Sequence, residues 1–287
     1  MSQRKILTLF IYTILLLFIG RNLTFIPTWH GLAKEKDFSE TLKLKTEELL
    51  SDKKGSYSIY YKNLTRDESF EINSHMIHTG ASVNKVPIVV TLYVLSEEED
   101  IDLDEQITTQ EQDIQDYGTG ILRYQEPGQT YSLQSLAKLA LKHSDNTAAH
   151  VLTNRIGEGI IQNTIERIGL TQTSIAQNKT SAKDMGILFE KLYSEEILDQ
   201  AHTKEVLGFL TDTDIEDRIP ATIPDATVYH KTGDGVGSLH DVGIIQHGNT
   251  VFFLGVMTSD IGNTEEQTKQ TIAEIAGSIT KFLQEHQ

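Results

Sequence analysis

Three short motifs follow one another along the chain: Ser82-Val83-Asn84-Lys85, Ser144-Asp145-Asn146 and Lys231-Thr232-Gly233. Together they supply the parts of a covalent acyl transfer. An unassisted serine hydroxyl is a poor nucleophile and needs a base held beside it. Residues three apart on a helix share a face, so Lys85 is placed to reach the hydroxyl of Ser82. Burial under the apolar run that follows would lower the lysine pKa and let the amine accept the serine proton. A nucleophile at a helix start also has backbone N–H groups and the positive dipole end nearby, which suit an anionic tetrahedral intermediate.

The second motif sits at a turn between two expected helices. There the hydroxyl of Ser144 can carry a proton between Lys85 and a leaving nitrogen, while Asn146 holds the substrate amide. Asp145 is read as structural, because a short acidic side chain readily bonds nearby backbone. In the third motif Lys231 offers a positive charge to a substrate carboxylate and Thr232 adds a hydroxyl donor. Gly233 and Gly235 allow close approach to the strand, and the backbone N–H of Asp234 is the candidate second oxyanion donor. The acidic side chain of Asp234 is an odd neighbour for an anionic substrate and is expected to face away.

The combination carries the signal. Ser-x-x-Lys recurs at Ser2–Lys5, Ser51–Lys54, Ser135–Lys138 and Ser278–Lys281, whereas Ser-Asp-Asn and Lys-Thr-Gly occur once each. The elements around the motifs follow from pattern. A helix over about Phe38–Leu50 precedes strands at Tyr57–Lys62 and Ser69–Ile72. The continuous apolar segment after Ser82 reads as a buried helix, with Pro87 near its start where a lost hydrogen bond matters least. Leu133, Leu136, Ala137, Ala140 and Leu141 fall at helical spacing behind a Ser132 N-cap, and Ile161, Ile165 and Ile168 repeat the pattern. Another helix is expected after Thr180-Ser181, and one more over 201–211, before an irregular stretch at 212–225. Strands return at Thr227–Lys231, Asp241–Gln246 and Thr250–Met257, the last two joined by a turn at His247-Gly248-Asn249, and a helix over Glu265–Leu283 closes the chain. This order predicts an α/β (α+β sandwich) fold. An antiparallel sheet of about five strands is flanked by helices, its parts lying at about 38–80 and 220–287, with an inserted all-helical part at about 81–219.

Composition narrows the partners. The 287 residues carry 25 Lys plus Arg against 41 Asp plus Glu, a net charge of −16, which argues against nucleic acid. With no cysteine there are no disulfides, thiolate metal sites or lipid-modified N-terminal cysteine. His143, His150, His230 and His240 show no paired ligand spacing, so no metal or other cofactor is expected. Arg4 and Lys5 precede the apolar run Ile6–Gly20. Residues 1–26 therefore read as a signal or membrane anchor and 27–37 as a linker, with the domain over 38–287. The location expected is extracytoplasmic, anchored by the N-terminal helix or secreted after cleavage.

The three motifs, with Asp116–Leu122 (DYGTGIL), the Gly128–Leu133 turn and Ser144–Gly157 (SDNTAAHVLTNRIG), resemble the class A β-lactamase family and, more broadly, the serine penicillin-recognising enzymes over roughly residues 40–285. The resemblance implies a covalent acyl-enzyme at Ser82, formed from a β-lactam or from a D-alanyl-D-alanine-type stem peptide of peptidoglycan and then hydrolysed without a metal. The family's Glu-x-x-Leu-Asn loop, whose glutamate activates the deacylating water, has no counterpart between the second and third motifs. Gly169–Asp184 is short and contains no glutamate, and Glu166 reads as a solvated helix residue. A penicillin-binding D-alanyl-D-alanine peptidase is thus the alternative to a β-lactamase-like hydrolase. A membrane-anchored, β-lactam-acylated sensor is a third reading, disfavoured by the five residues ahead of the apolar run.

Overall fold

The computed structural model describes residues 30–286, with side chains from residue 38 onward. The expected anchor, residues 1–26, and the first three residues of the expected linker lie outside the described residues. Helix α1 (His30–Leu50) begins earlier than the sequence pattern indicates. Among the described residues no helix is long and apolar enough to cross a membrane.

From residue 40 on, the chain forms one structural unit. Its centre is a five-stranded antiparallel sheet in the order β2-β1-β9-β8-β7. Strands β1 (Ser56–Asn63) and β2 (Ser69–Ile72) come from the start of the unit. Strands β7 (Thr227–Gly235), β8 (Ser238–His247) and β9 (Thr250–Ser259) come from its end. The two halves join where β1 pairs with β9, Ser56 opposite Ser259 through Asn63 opposite Phe252. Gly248, at φ +57°, makes the β8–β9 turn.

Between the sheet halves lies the helical part, as the apolar spacing predicts. Helix α2 (Lys85–Glu97) is buried on every side, with Val86, Val89, Val90, Leu92 and Tyr93 fully enclosed. Each such aliphatic side chain contributes roughly 1.5–3 kcal/mol by leaving water. Around it pack α3 (Leu133–Lys142), α4 (Asn146–Ile156) and α5 (Glu158–Ile168). Ser132 caps α3 by accepting the N–H of Ser135. Helix α6 (Ala182–Tyr193), capped by Ser181, packs on the sheet, with the Phe189 ring tilted against that of Phe253, centroids 5.6 Å apart. Helix α7 (Gln200–Phe209) follows, and α8 (Glu265–Glu285) lays Ile272, Ile275 and Ile279 into the core against β8 and β9.

Two short ladders carry no sequence pattern of their own. Two-residue β3 (His78–Thr79) pairs with β6 (Lys179–Thr180), and three-residue β4 (Gln106–Thr108) pairs with β5 (Thr130–Ser132). The first matters for the site, because it fastens the segment before α6 to the residues just ahead of Ser82.

Candidate active site

Ser82 lies in a single 3-10 turn, Ala81–Asn84, that runs directly into α2. Ala81 holds φ +47°, a left-handed conformation unusual for a residue with a side chain, so the surroundings must hold the turn in place. They do so from two directions. Gly80 N–H donates to Asn178 O (2.7 Å), and the buried Asn84 amide donates to Asn178 Oδ1 (2.8 Å). From the sheet, His240 bonds to Thr79 O through Nε2 (2.8 Å) while its Nδ1 accepts the N–H of Thr258 (3.1 Å). That acceptor role puts the proton of His240 on Nε2. Burial pushes the His240 pKa down to about 4, so the neutral form does the bridging.

Lys85 is buried and turns its amine toward the second motif. It donates to Ser144 O, to Ser144 Oγ (3.3 Å) and to Asn146 Oδ1 (2.7 Å). Its hydrogen bonds thus go to the turn, and none to Ser82 is among them, a departure from the direct contact expected from the spacing. Both side chains still line the same cavity. Burial, followed by the charge of Lys231, holds the Lys85 amine well below the ordinary lysine range. Asn146 also donates its amide N–H to Tyr117 O (3.0 Å), so it links Lys85 to the DYGTGIL loop while lining the same cavity.

Ser144 sits at φ +50° between α3 and α4. Asp145 holds that turn, as expected. Its carboxylate caps α4 through Ala148 N–H (2.9 Å) and takes the N–H groups of Ile121 and Leu122 (2.7 and 2.8 Å). Gly120, at φ +121°, passes so close that a Cβ would lie 2.4 Å from Asp145 Oδ2. The DYGTGIL loop is thereby clamped on the turn, with Thr119 Oγ1 donating to Ser144 O (2.8 Å).

The third motif lies on β7, one of the two edge strands of the sheet. Leu239, opposite Asp234, directs its N–H (2.9 Å) and C=O (2.7 Å) to Thr258 Oγ1 on the β9 side. In an antiparallel ladder both groups of a residue point the same way, so the N–H of Asp234 points off the edge, away from β8. His230 has the same parity, and its N–H leaves the edge to reach Leu210 O (2.7 Å). The orientation suits Asp234 N–H as an oxyanion donor. Gly233 serves the protein's own packing rather than a ligand, since a Cβ there would lie 2.9 Å from Val83 Cγ2 and 3.0 Å from Gly80 O. Lys231 is buried, donates to Thr232 O (3.0 Å), and is pushed down to about 8, chiefly by burial.

These elements surround an open cavity of about 550 Å³, whose wall includes Ser82, Lys85, Ser144, Asn146, Thr232 and Asp234. Asp234 belongs to the wall; its side chain is half exposed, with Oδ1 2.6 Å from the guanidinium of fully buried Arg218. Sequence reasoning missed Arg218 because it stands in an irregular stretch without periodicity and finds its partner across the fold. It also missed Glu158, a cavity-wall carboxylate at the start of α5. Gly169–Ser181 contributes Ile175 and Asn178 to the wall, while Glu166 accepts a bond from Gln162 (2.9 Å) on its own helix. Among the described residues Glu97, Asp199 and His202 form one group with metal-compatible spacing, off the cavity wall; there Asp199 caps α7 and Glu97 takes the Asp199 N–H.

Beside Lys231, His230 is buried between Asp241 (2.8 Å) and Glu216 (3.2 Å), and despite burial these carboxylates raise its pKa to about 9. A raised folded-state value stabilises fully below the unfolded value near 6.5, and that stability is lost as pH rises through 9. Lys85 and Lys231, with lowered values, act in the opposite sense. The difference in unfolding free energy between the wild type and His230→Asn is therefore the clean readout. It is expected to narrow by about 1–2 kcal/mol from pH 6.5 to 8 in urea titrations, and a constant difference would show His230 to be neutral.

The model of the β-lactamase enzyme family matches residues 41–283. No curated protein matches the chain significantly. Among solved structures, a mutant of PBP-A in an acyl-enzyme complex with penicillin G is 24% identical, with a TM-score of 0.81, covering 86% of this chain and 97% of its own. The TLA-3 extended-spectrum β-lactamase is 24% identical at a TM-score of 0.80, covering 85% and 99%. A β-lactamase from Sphaerobacter thermophilus is 19% identical at 0.78, covering 84% and 95%. These likenesses match the fold, and the family model spans nearly the whole described unit: the chain belongs to the β-lactamase enzyme family.

Proposed function

We propose that the protein is a serine acyl-transfer hydrolase that opens β-lactams through an acyl-enzyme at Ser82. The observation that carries this reading is the buried, pKa-lowered Lys85 amine, hydrogen-bonded to Ser144 and Asn146 in the cavity that Ser82 lines. In the proposed step Ser82 Oγ attacks the lactam carbonyl carbon and its proton passes to neutral Lys85. The oxyanion is met by the N–H groups of Ser82 and Asp234. The proton then moves through Ser144 Oγ to the lactam nitrogen as the C–N bond breaks. Water completes the cycle by cleaving the ester, returning a carboxylic acid and free Ser82.

A D-alanyl-D-alanine peptidase acting on peptidoglycan stem peptides is the second reading. It is favoured by the wall segment Gly169–Ser181, which supplies Ile175 and Asn178 where a deacylating carboxylate would serve a fast β-lactamase. Placement outside the cytoplasm, with attachment through residues 1–26, accompanies both readings on the strength of the basic and apolar N-terminal pattern. Intact-mass measurement of the full-length chain with penicillin G, from seconds to hours, tests them. Rapid drug consumption with little standing adduct is the expected β-lactamase result. An adduct lasting hours would favour the peptidase, and neither adduct nor consumption would overturn both.

A further inference from the structure

The cavity extends past the groups that carry the proposed chemistry. Helix α4 starts at Asn146, beside Lys85, and its residues Asn146, Ala149, His150 and Thr153 all line the wall. Spaced i, i+3, i+4 and i+7, they form one helix face, so the cavity runs along α4 as a groove of about 10 Å at 1.5 Å per residue. Ile88, one turn beyond Lys85 on α2, and Ile175 add apolar wall. Glu158, which opens α5 just after α4 ends, belongs to the wall as well. The other charged wall residues are engaged, Lys85 with Ser144 and Asn146, and Asp234 with Arg218. His150 bonds to Asn154 on its own helix (2.9 Å). Glu158 alone among them has no hydrogen bond or ion pair to any of the described residues. An acid in a first turn suits the helix dipole, which accounts for its sign but gives the carboxylate no partner. Thr153 Oγ1 donates its proton to Ala149 O (2.8 Å), so only its acceptor lone pairs remain.

Resting on the Ser82 reading above, we propose that the groove along α4 is a subsite for the acyl side chain of the substrate, where Glu158 pairs with a terminal ammonium group carried on an apolar stem. In β-lactams and in D-alanyl-D-alanine peptides alike, the carboxylate lies on the leaving-group side of the scissile bond, the side assigned to Lys231 and Thr232. The acyl side is left to the rest of the wall. A run of methylenes there lies against Ile88, Ala149 and Ile175 and leaves water. An ammonium group at its end brings one charge and three donors to a carboxylate and a hydroxyl that can only accept. The net charge of −16 also draws a cationic ligand toward the protein. The substrate class is thus an acyl donor with a free side-chain amine, such as a peptide whose acyl part contains a diamino acid.

The test compares acylation of Ser82 by two penicillins, followed by intact mass on the full-length chain. In one the acyl side chain ends in a primary amine on a five-methylene stem, and in the other a hydroxyl replaces that amine, so the pair differs in charge and hardly in shape. The wild type is expected to react faster with the amine, at equal low concentration, by about threefold or more, the size of an ion pair with an exposed carboxylate. Glu158→Gln is expected to bring the ratio close to one and Glu158→Lys to take it below one. Glu158 is exposed, so glutamine there leaves the fold intact, and the wild-type ratio needs no variant. A smaller wild-type preference, or a ratio unmoved in folded Glu158→Gln, would overturn the inference while the adducts themselves uphold the Ser82 reading. Acylation by neither compound nor by penicillin G would overturn both.

Discussion

Ser82→Ala is expected to abolish covalent labelling by penicillin G and to reduce β-lactam turnover to background. The wild type should gain one drug mass per chain and the variant none. The reason is chemical: an alanine methyl has no lone pair, and the remaining cavity groups can polarise a lactam carbonyl without bonding to it. Residual catalysis by the oxyanion donors and binding alone can persist above the water reaction, yet it leaves no adduct, so labelling is the cleaner readout. The fold should be untouched, because Ser82 is only partly buried and its side chain is in none of the bonds that hold the turn, which run through Gly80, Asn84 and His240. An unchanged melting temperature alongside lost labelling separates loss of the nucleophile from loss of structure. A single adduct on the folded variant, mapped by peptide digestion to Ser144, would move the nucleophile there.

The residues of this site were legible in the sequence to the extent that they sit in local patterns. Ser82 and Lys85 share a continuous helical start, Ser132, Asp145 and Ser181 cap helices within three residues, and the β7–β9 strands alternate with recognisable turns. What the sequence did not reveal lies in contacts between distant segments. The bond from His240 to Thr79 joins residues 161 positions apart, and the Arg218–Asp234 pair joins an irregular stretch to a strand end. The partner of Asp234 was hidden for the same reason: its half-exposed carboxylate lies against the buried guanidinium of Arg218, which nothing near it in the sequence indicates. Gly233 is a parallel case, its space filled by Val83 and Gly80 O of the nucleophile turn rather than by a ligand.

Lys85→Ala is expected to slow acylation by at least about a hundredfold, the usual size of a general-base effect. Loss of rate alone would not establish the role, because Lys85 also ties α2 to the Ser144 turn through Ser144 O and Asn146 Oδ1. Arginine discriminates. It keeps a positive charge and several donors at the same point, so a purely electrostatic or tethering lysine would be largely rescued by Lys85→Arg. A guanidinium cannot be deprotonated in this pH range, however, so a proton acceptor would not be rescued. The pH profile adds a second readout. Because burial and the charge of Lys231 hold the Lys85 pKa well below 10.5, the wild-type acylation rate should climb along an acid limb set by that lowered value. The limb should vanish in both variants. Rescue by arginine, or an acid limb that survives in Lys85→Ala, would assign the base to another group, and Glu158 on the cavity wall would then be the first residue to replace.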